Sequence, residues 1–234
     1  MRLIIGTVAF LIVGYLFGSV SYATIVTRLV SGKDIRKIGN LNPGTSNVAR
    51  EVGKPWGVLV AVLDGLKGAV PVLIARLTIL QGNTALEFFI LYCIGIAAVL
   101  GHCLPVFHRF KGGGGIGAMQ GISLFFIPVE YLVSMLIGGT IVLIGVKKVK
   151  YRMGRWTPIM FVTLCPFITL ATTLWLDIPL FAHISIGGHS WGMVAGVFVM
   201  SLTLLALNLR VMKESGEELE QAKEEEREDQ TEPS

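Results

Sequence analysis

The feature that most constrains this chain is the recurrence of apolar stretches long enough to cross a lipid bilayer. Runs of roughly twenty apolar residues, the length a spanning helix needs, lie at 3–29, 56–80, 86–107, 158–177 and 190–212. A hydrophobic fraction of 53% and a mean hydropathy of +0.68 exceed what a soluble domain of 234 residues needs for its core. An all-α, polytopic membrane bundle follows, because hydrocarbon offers no partner to a backbone N–H or C=O and a helix pairs them internally. Residues 3–27 imitate a secretory leader, with Ser21 and Ala23 as its small-residue pair. Several spans follow, however, so this segment reads as a bundle helix.

The stretch 116–146 is too long for one helix and short for two, and Pro128 and Glu130 mark a turn near its middle. Loop charge decides the matter. Lys33, Arg36, Lys37, Arg50 and Lys54 fall in the first long loop, Arg109 and Lys111 in the second, and KKVKYRMGR at 147–155 adds five more cations. Basic loops stay cytoplasmic, and all three share a side only if 116–146 crosses twice. The expectation is seven crossings, with the N-terminus outside and the C-terminus cytoplasmic. The two crossings around Pro128 must be short or tilted and shielded by neighbours.

The formal net charge of +4 hides a division of labour: residues 1–212 carry +11, while ten of the last twenty-two residues are acidic. We read 1–212 as the transmembrane domain and 213–234 as an acidic cytoplasmic tail, a helix fraying to disorder. The basic excess belongs to membrane topology, and no nucleic-acid partner is expected. Cys93, Cys103 and Cys165 stand in apolar surroundings without CxxC or His spacing. They read as packing residues, with neither a disulfide framework nor a metal site.

Three polar constellations interrupt this apolar frame. In the first loop, Asn40, Asn42, Pro43, Gly44, Thr45, Ser46 and Asn47 precede Arg50. Asn-Pro-Gly is a turn signal and Ser46 or Asn47 can cap a short helix, yet amides and hydroxyls beside an arginine also suit a phosphate. Within the second span, Asp64 and Lys67 are three apart and share a helical face. They suit a buried ion pair, since each charge costs about 2.5–3.5 kcal/mol at the bilayer centre. In the third, GHCLPVFHRFKGGGGIGA, His102 ends a span and the run Gly112, Gly113, Gly114 and Gly115 opens the next. The glycine-lysine pair followed by serine or threonine of a P-loop and the preceding strand of a Rossmann unit are both missing. A glycine-rich loop opening a helix still offers N–H donors to an anion, whereas His102, a candidate base, reads sooner as a hydrogen-bonded structural residue at a helix end. The three patches share one membrane face, which suggests an anionic ligand meeting the lipid phase.

These residues resemble the bacterial acyl-phosphate:glycerol-3-phosphate acyltransferases, polytopic inner-membrane enzymes that begin phospholipid synthesis. The likeness runs through GSVSYATIVTRLVSGKDIRKIGNLNPGTSNVAR, LDGLKG and GHCLPVFHRFKGGGGIGA in order, and returns weakly at Asn208 to Glu218. It implies transfer of an acyl chain from acyl phosphate to the sn-1 hydroxyl of glycerol 3-phosphate, giving lysophosphatidic acid, without a cofactor or metal. Both substrates would be met at the bilayer, on the cytoplasmic face of a bacterial plasma membrane. Carried over position by position, the resemblance implies catalytic roles for Asn40, Arg50, Lys111 and Asn208. It implies substrate contacts for Asn42, Gly44, Thr45, Ser46, Asn47, Asp64, Lys67, His102, Gly112 to Gly115 and Glu217. The chain departs from the family pattern at Asn40 and Leu41, where serine and glycine are usual, at Gly114, where a second lysine is usual, and at Leu205, where histidine is usual.

Two other readings answer the same residues. A paralogue with impaired transfer chemistry would bind a phosphorylated metabolite or lipid, and the changes at Gly114 and Leu205 speak for it. An anion transporter would also place charges inside spans, but the second half does not repeat the first, and the basic patches crowd one side.

Overall fold

The computed structural model describes residues 1–145, 152–175 and 190–209. The acidic tail, most of the basic 147–155 loop, the 177–189 loop and Glu217 lie outside the described residues. The described chain is helical: α1 (Arg2–Gly18), α2 (Tyr22–Ser31), α3 (Thr45–Glu51), α4 (Lys54–Thr78), α5 (Ala85–Cys103), α6 (Ile116–Phe126), α7 (Pro128–Gly145), α8 (Arg152–Trp175) and α9 (Trp191–Leu207). Two 3-10 turns, Ile35–Lys37 and Val106–His108, lie in the loops before α3 and α6. Among these residues five helical stretches are long and apolar enough to cross a membrane, and α6 and α9 are shorter apolar helices. The protein is a multi-pass membrane bundle.

The central helix is α5, which packs on α1, α4, α6 and α9, while α7 and α8 pair beside it. A capping box starts α5: Thr84 Oγ1 accepts from the Glu87 N–H at 3.2 Å, and Glu87 Oε2 accepts from the Thr84 N–H at 3.2 Å. The core is built of Phe88, Leu91, Tyr92, Ile122, Phe126, Phe161, Val197 and Met200, with the Tyr92 and Phe126 rings stacked at 4.9 Å. Cys103 and Cys165 are buried in the same core, as packing residues should be.

Small residues let the helices approach closely, as they must where apolar lipid competes with side-chain packing. A Cβ on Gly18 would strike the Ala98 carbonyl of α5, and one on Gly68 would strike the Ala118 carbonyl of α6. Pro128 splits 116–146 as the sequence suggests. The eleven residues of α6 rise only about 17 Å, roughly half the hydrocarbon thickness, and α4 and α5 cover it. Beyond the break, Glu130 is buried and Thr172 of α8 donates to its Oε1 at 3.0 Å, which ties α7 to α8.

The apolar run 3–29 corresponds to one of these spanning stretches, Leu3–Ser31, but its helix is interrupted at residues 19–21, and α2 leaves α1 to pack on α4. The break frees the Val20 carbonyl, which accepts from Lys67 Nζ at 2.9 Å. A hydropathy profile cannot register this, because the interruption consists of small residues within an apolar run.

The close seam between α4 and α6 yields a test. Gly68→Val should wedge the two helices apart and destabilise the bundle by about 1–3 kcal/mol, read as a lowered Tm in detergent. A valine variant as heat-resistant as the parent would contradict the seam.

Candidate active site

The site is built where the α1–α2 break, α4, the end of α5 and the glycine-rich loop meet. Asp64 and Lys67 lie one turn apart on α4, with side chains only 3% and 1% exposed and Oδ1 and Nζ 2.8 Å apart. Lys67 also donates to the Val20 carbonyl and lies 5.4 Å from the centre of the Tyr22 ring. Its charge is thus met by a carboxylate, a carbonyl and a π face, which offset the cost of taking an ammonium out of water. His102, on the last turn of α5, brings Nδ1 to 3.8 Å from Asp64 Oδ1.

The glycine-rich loop folds back over the end of α5. The N–H groups of Gly112 and Gly113 donate to the Cys103 and His102 carbonyls, each at 3.1 Å, satisfying acceptors that a helix end leaves open. A side chain at Gly113 would run into the His102 ring, and Gly115 holds a left-handed φ of +79°. These two glycines are demanded by contact and by backbone. The anion-nest reading is corrected accordingly: the Gly112 and Gly113 N–H groups point into the protein. The Tyr15 hydroxyl donates to the Leu104 carbonyl at 2.8 Å, tying the entrance of this loop to α1.

The first loop is knit by its own amides. Asn47 is buried and donates from Nδ2 to the Ile35 and Ile38 carbonyls at 3.3 and 3.0 Å. Its Oδ1 accepts from the Asn40 N–H at 3.2 Å, and Asn40 Oδ1 accepts from the Asn42 N–H at 3.3 Å. Gly44, rather than Ser46 or Asn47, caps α3, and without a side-chain bond. Asn47 is free of that duty because its amide is spent holding the loop. Leu41 adopts a left-handed φ of +63°.

Pro43 from this loop and Gly113 from the other face each other, and a crevice opens beneath them. It is lined by Gly18, Ser19, Val20, Ser21, Pro43, Asp64, Lys67, His102, Pro105, Gly112 and Gly113. At the far side of the glycine run, Asn208 just past α9 donates from Nδ2 to the Gly114 carbonyl at 2.9 Å. Of the residues singled out in the sequence, Asp64, Lys67, His102, Gly112 and Gly113 come together in the crevice, and Gly114 joins Asn208. Gly44 and Thr45 begin α3, Ser46 and Arg50 are exposed along it, and Lys111 is exposed on the glycine-rich loop. Glu217 lies outside the described residues. Among the described residues, no cluster of three or more His, Cys, Asp or Glu side chains could hold a metal ion.

Sequence reasoning missed the contribution of Gly18 to Ser21. Its trace was the small, polar string GSVS inside an apolar span, which a hydropathy average absorbs. It also missed Asp34, which caps the first 3-10 turn. Asp34 receives the Arg36 Nε and Nη2 at 3.1 and 3.0 Å, the Arg36 N–H at 3.1 Å and the Arg28 Nη2 at 3.1 Å. Those bonds, above all the side-chain ones from Arg36, hold its carboxyl well below the usual carboxylate range.

Because the folded pKa is depressed, the contribution of Asp34 is complete above about pH 4, the ordinary unfolded value, and fades only as pH falls through the lower folded value. Asp34→Asn should therefore speed amide hydrogen exchange across residues 34–44 several-fold at pH 7. The gap from the parent should persist on acidification to about pH 4. Equal exchange in both proteins at pH 7 would refute the clamp.

Comparison with known proteins places these loops in a family. A profile described as glycerol-3-phosphate acyltransferase matches residues 8–210. Curated relatives carrying the same description include one from Mycoplasma mycoides subsp. mycoides, 36% identical over 57% of this chain and 51% of the relative. Another, from Anaeromyxobacter dehalogenans, is 44% identical over 49% of this chain and 56% of its own. The alignments span about half the length of these relatives. The fold resembles the crystal structure of PlsY (YgiH), described as an integral membrane glycerol 3-phosphate acyltransferase, in its glycerol 3-phosphate form. That likeness has a TM-score of 0.63 and 28% identity over 88% of this chain and 90% of that one. The lysophosphatidic acid form of PlsY matches with a TM-score of 0.62 and 26% identity over the same shares. With most of its length, and all of the loops just described, inside the matched region, the chain belongs to the glycerol-3-phosphate acyltransferase family.

Proposed function

We propose that this protein transfers an acyl chain from acyl phosphate to the sn-1 hydroxyl of glycerol 3-phosphate, releasing lysophosphatidic acid and inorganic phosphate. The observation that carries the reading is the meeting of two amide- and glycine-rich loops, at Pro43 and Gly113, over a crevice floored by Asp64, Lys67 and His102. Family membership and a fold shared with PlsY in its glycerol 3-phosphate and lysophosphatidic acid forms support it.

In this reading the acceptor hydroxyl oxygen attacks the acyl carbonyl carbon, the bond from that carbon to the phosphate oxygen breaks, and the hydroxyl proton leaves with phosphate. Acyl phosphate is already a mixed anhydride with a good leaving group, so the reaction balances without a cofactor. The protein supplies position and charge. Arg50 and Lys111 hold phosphate oxygens, and Arg50 can do so through a two-pronged contact. Asn40 and Asn208 orient the reacting groups, while Gly44, Thr45, Ser46 and Glu217 complete the contacts to substrate. Asn42 and Asn47 act through the shape of the loop. The basic loops favour a cytoplasmic site in a bacterial plasma membrane, with seven crossings and the N-terminus outside.

One observation favours the second reading, a paralogue that binds a phosphorylated metabolite or lipid with impaired turnover. The Gly114 carbonyl is taken by Asn208, and a Cβ at 114 would lie 3.0 Å from Asn208 Oδ1. Leu205, for its part, packs against the apolar core. The positions that would carry a lysine and a histidine are therefore filled by backbone and packing contacts.

Purified protein in detergent, given acyl phosphate and labelled glycerol 3-phosphate, should form lysophosphatidic acid. Arg50→Ala should lower kcat/KM by about a hundredfold or more, the scale seen when a charge-stabilising group is lost. No turnover beside an active relative would decide for the binding paralogue. The combined Gly114→Lys, Asn40→Ser and Leu205→His variant should then gain activity.

A further inference from the structure

The floor of the crevice contains a polar atom with nothing to bond. His102 Nδ1 is buried and, among the described residues, has no hydrogen-bond partner. The nearest acceptor, Asp64 Oδ1, lies 3.8 Å away, beyond hydrogen-bonding reach. That oxygen has the Lys67 ammonium at 2.8 Å as a charge partner but meets no donor in hydrogen-bonding geometry. The neighbouring hydroxyls are already engaged: Ser19 Oγ donates to the Tyr15 carbonyl, and Ser21 Oγ pairs with Thr24 Oγ1. A gap of 3.8 Å is too wide for a direct bond, and one oxygen at about 2.8 Å from each atom would bridge it.

We propose that the crevice is a hydroxyl subsite, with His102 and Asp64 as specificity-determining residues that bind the secondary hydroxyl of glycerol 3-phosphate. The inference rests on the acceptor substrate proposed above. A hydroxyl fits where other groups do not, because it both accepts and donates. Its oxygen accepts from His102 Nδ1–H, and its proton is donated to Asp64 Oδ1. A phosphate is unsuited, because the Lys67 charge is already matched by Asp64 and the remaining acceptor would face another anion. The terminal hydroxyl is unsuited for a different reason: held under Gly113 and Pro43, it would be out of reach of the acyl donor. Seating the secondary hydroxyl leaves the terminal one facing the mouth, with the phosphate on the opposite arm of the molecule. Three separated contacts then also fix which enantiomer presents its terminal hydroxyl correctly.

The test is equilibrium binding to the full chain in detergent, comparing sn-glycerol 3-phosphate with 3-hydroxypropyl phosphate, which lacks only the secondary hydroxyl. The parent protein should bind the second compound about tenfold more weakly or worse, as expected when a buried polar pair loses its partner. His102→Phe should bring the two affinities to within about a factor of two. His102→Asn, whose amide nitrogen falls near the place of Nδ1, should restore at least about threefold discrimination. The ratio is read within each variant and is insensitive to the fraction folded, and His102→Ala replaces the phenylalanine variant if that one does not accumulate. Equal affinities in the parent would mean that water alone occupies the crevice and would overturn the subsite while leaving the proposed activity standing. Discrimination unchanged in His102→Phe would overturn it as well. Failure of the parent to bind either compound would overturn both the subsite and the acceptor assignment.

Discussion

The structure depends on how one buried cation is kept inside an apolar bundle. Lys67 sits within α4 with almost no exposure, and an ammonium there is tolerated only if several groups share its charge. Asp64 supplies the carboxylate from one turn away, and the Val20 carbonyl supplies a second acceptor. A carbonyl inside a continuous helix is committed to its own ladder, so this second contact goes with the break between α1 and α2. The break turns Ser19 to Ser21 into a wall of the crevice. One ion pair therefore links the path of the first span to the shape of the site.

The glycine-rich loop is subject to a related constraint at the end of α5. The last carbonyls of a helix need donors, and Gly112 and Gly113 provide them by lying flat against His102 and Cys103. Loss of side chains here serves close packing first. It lowers the roof of the crevice onto the histidine ring and carries Arg109 and Lys111 outward to the exposed edge of the loop. In the proposed function that arrangement separates two tasks. Exposed cations at the rim meet phosphate, and the buried Asp64, Lys67 and His102 below define the space left for the glycerol unit.

Most of the helical frame was legible in the sequence, because twenty-residue apolar runs have one physical solution in lipid, and Pro128 is an unambiguous break. The pairing of Asp64 with Lys67 was equally legible from their spacing on one helical face. The break at residues 19–21 was not, since the contact that goes with it comes from a side chain of another helix forty-seven positions away. The direction of the glycine N–H groups was hidden for the same reason: a run of glycines states that the backbone approaches something closely but does not say what. The first loop shows the ambiguity from the other side. Asn47 looked like a cap or a ligand contact; Gly44 takes the cap, and the Asn47 amide holds the Ile35 and Ile38 carbonyls at the two ends of the preceding 3-10 turn.

Leu41 connects these observations to the departures from the family pattern. It occupies a position where glycine is usual, yet the backbone keeps a left-handed φ of +63°, a conformation that costs a residue with a side chain about 1–2 kcal/mol. The loop holds that geometry because Asn47 grips the Asn40 N–H on one side and Asn40 grips the Asn42 N–H on the other. Gly114 tells a similar story, its carbonyl fixed by Asn208 in the absence of a long side chain. In both loops the path of the main chain is maintained by amide contacts while the side chains around it differ. In the proposed function, changes confined in this way leave the path of the two loops in place and alter the charge available at their rim, so any loss should fall on phosphate contact and turnover before it falls on recognition of the glycerol unit.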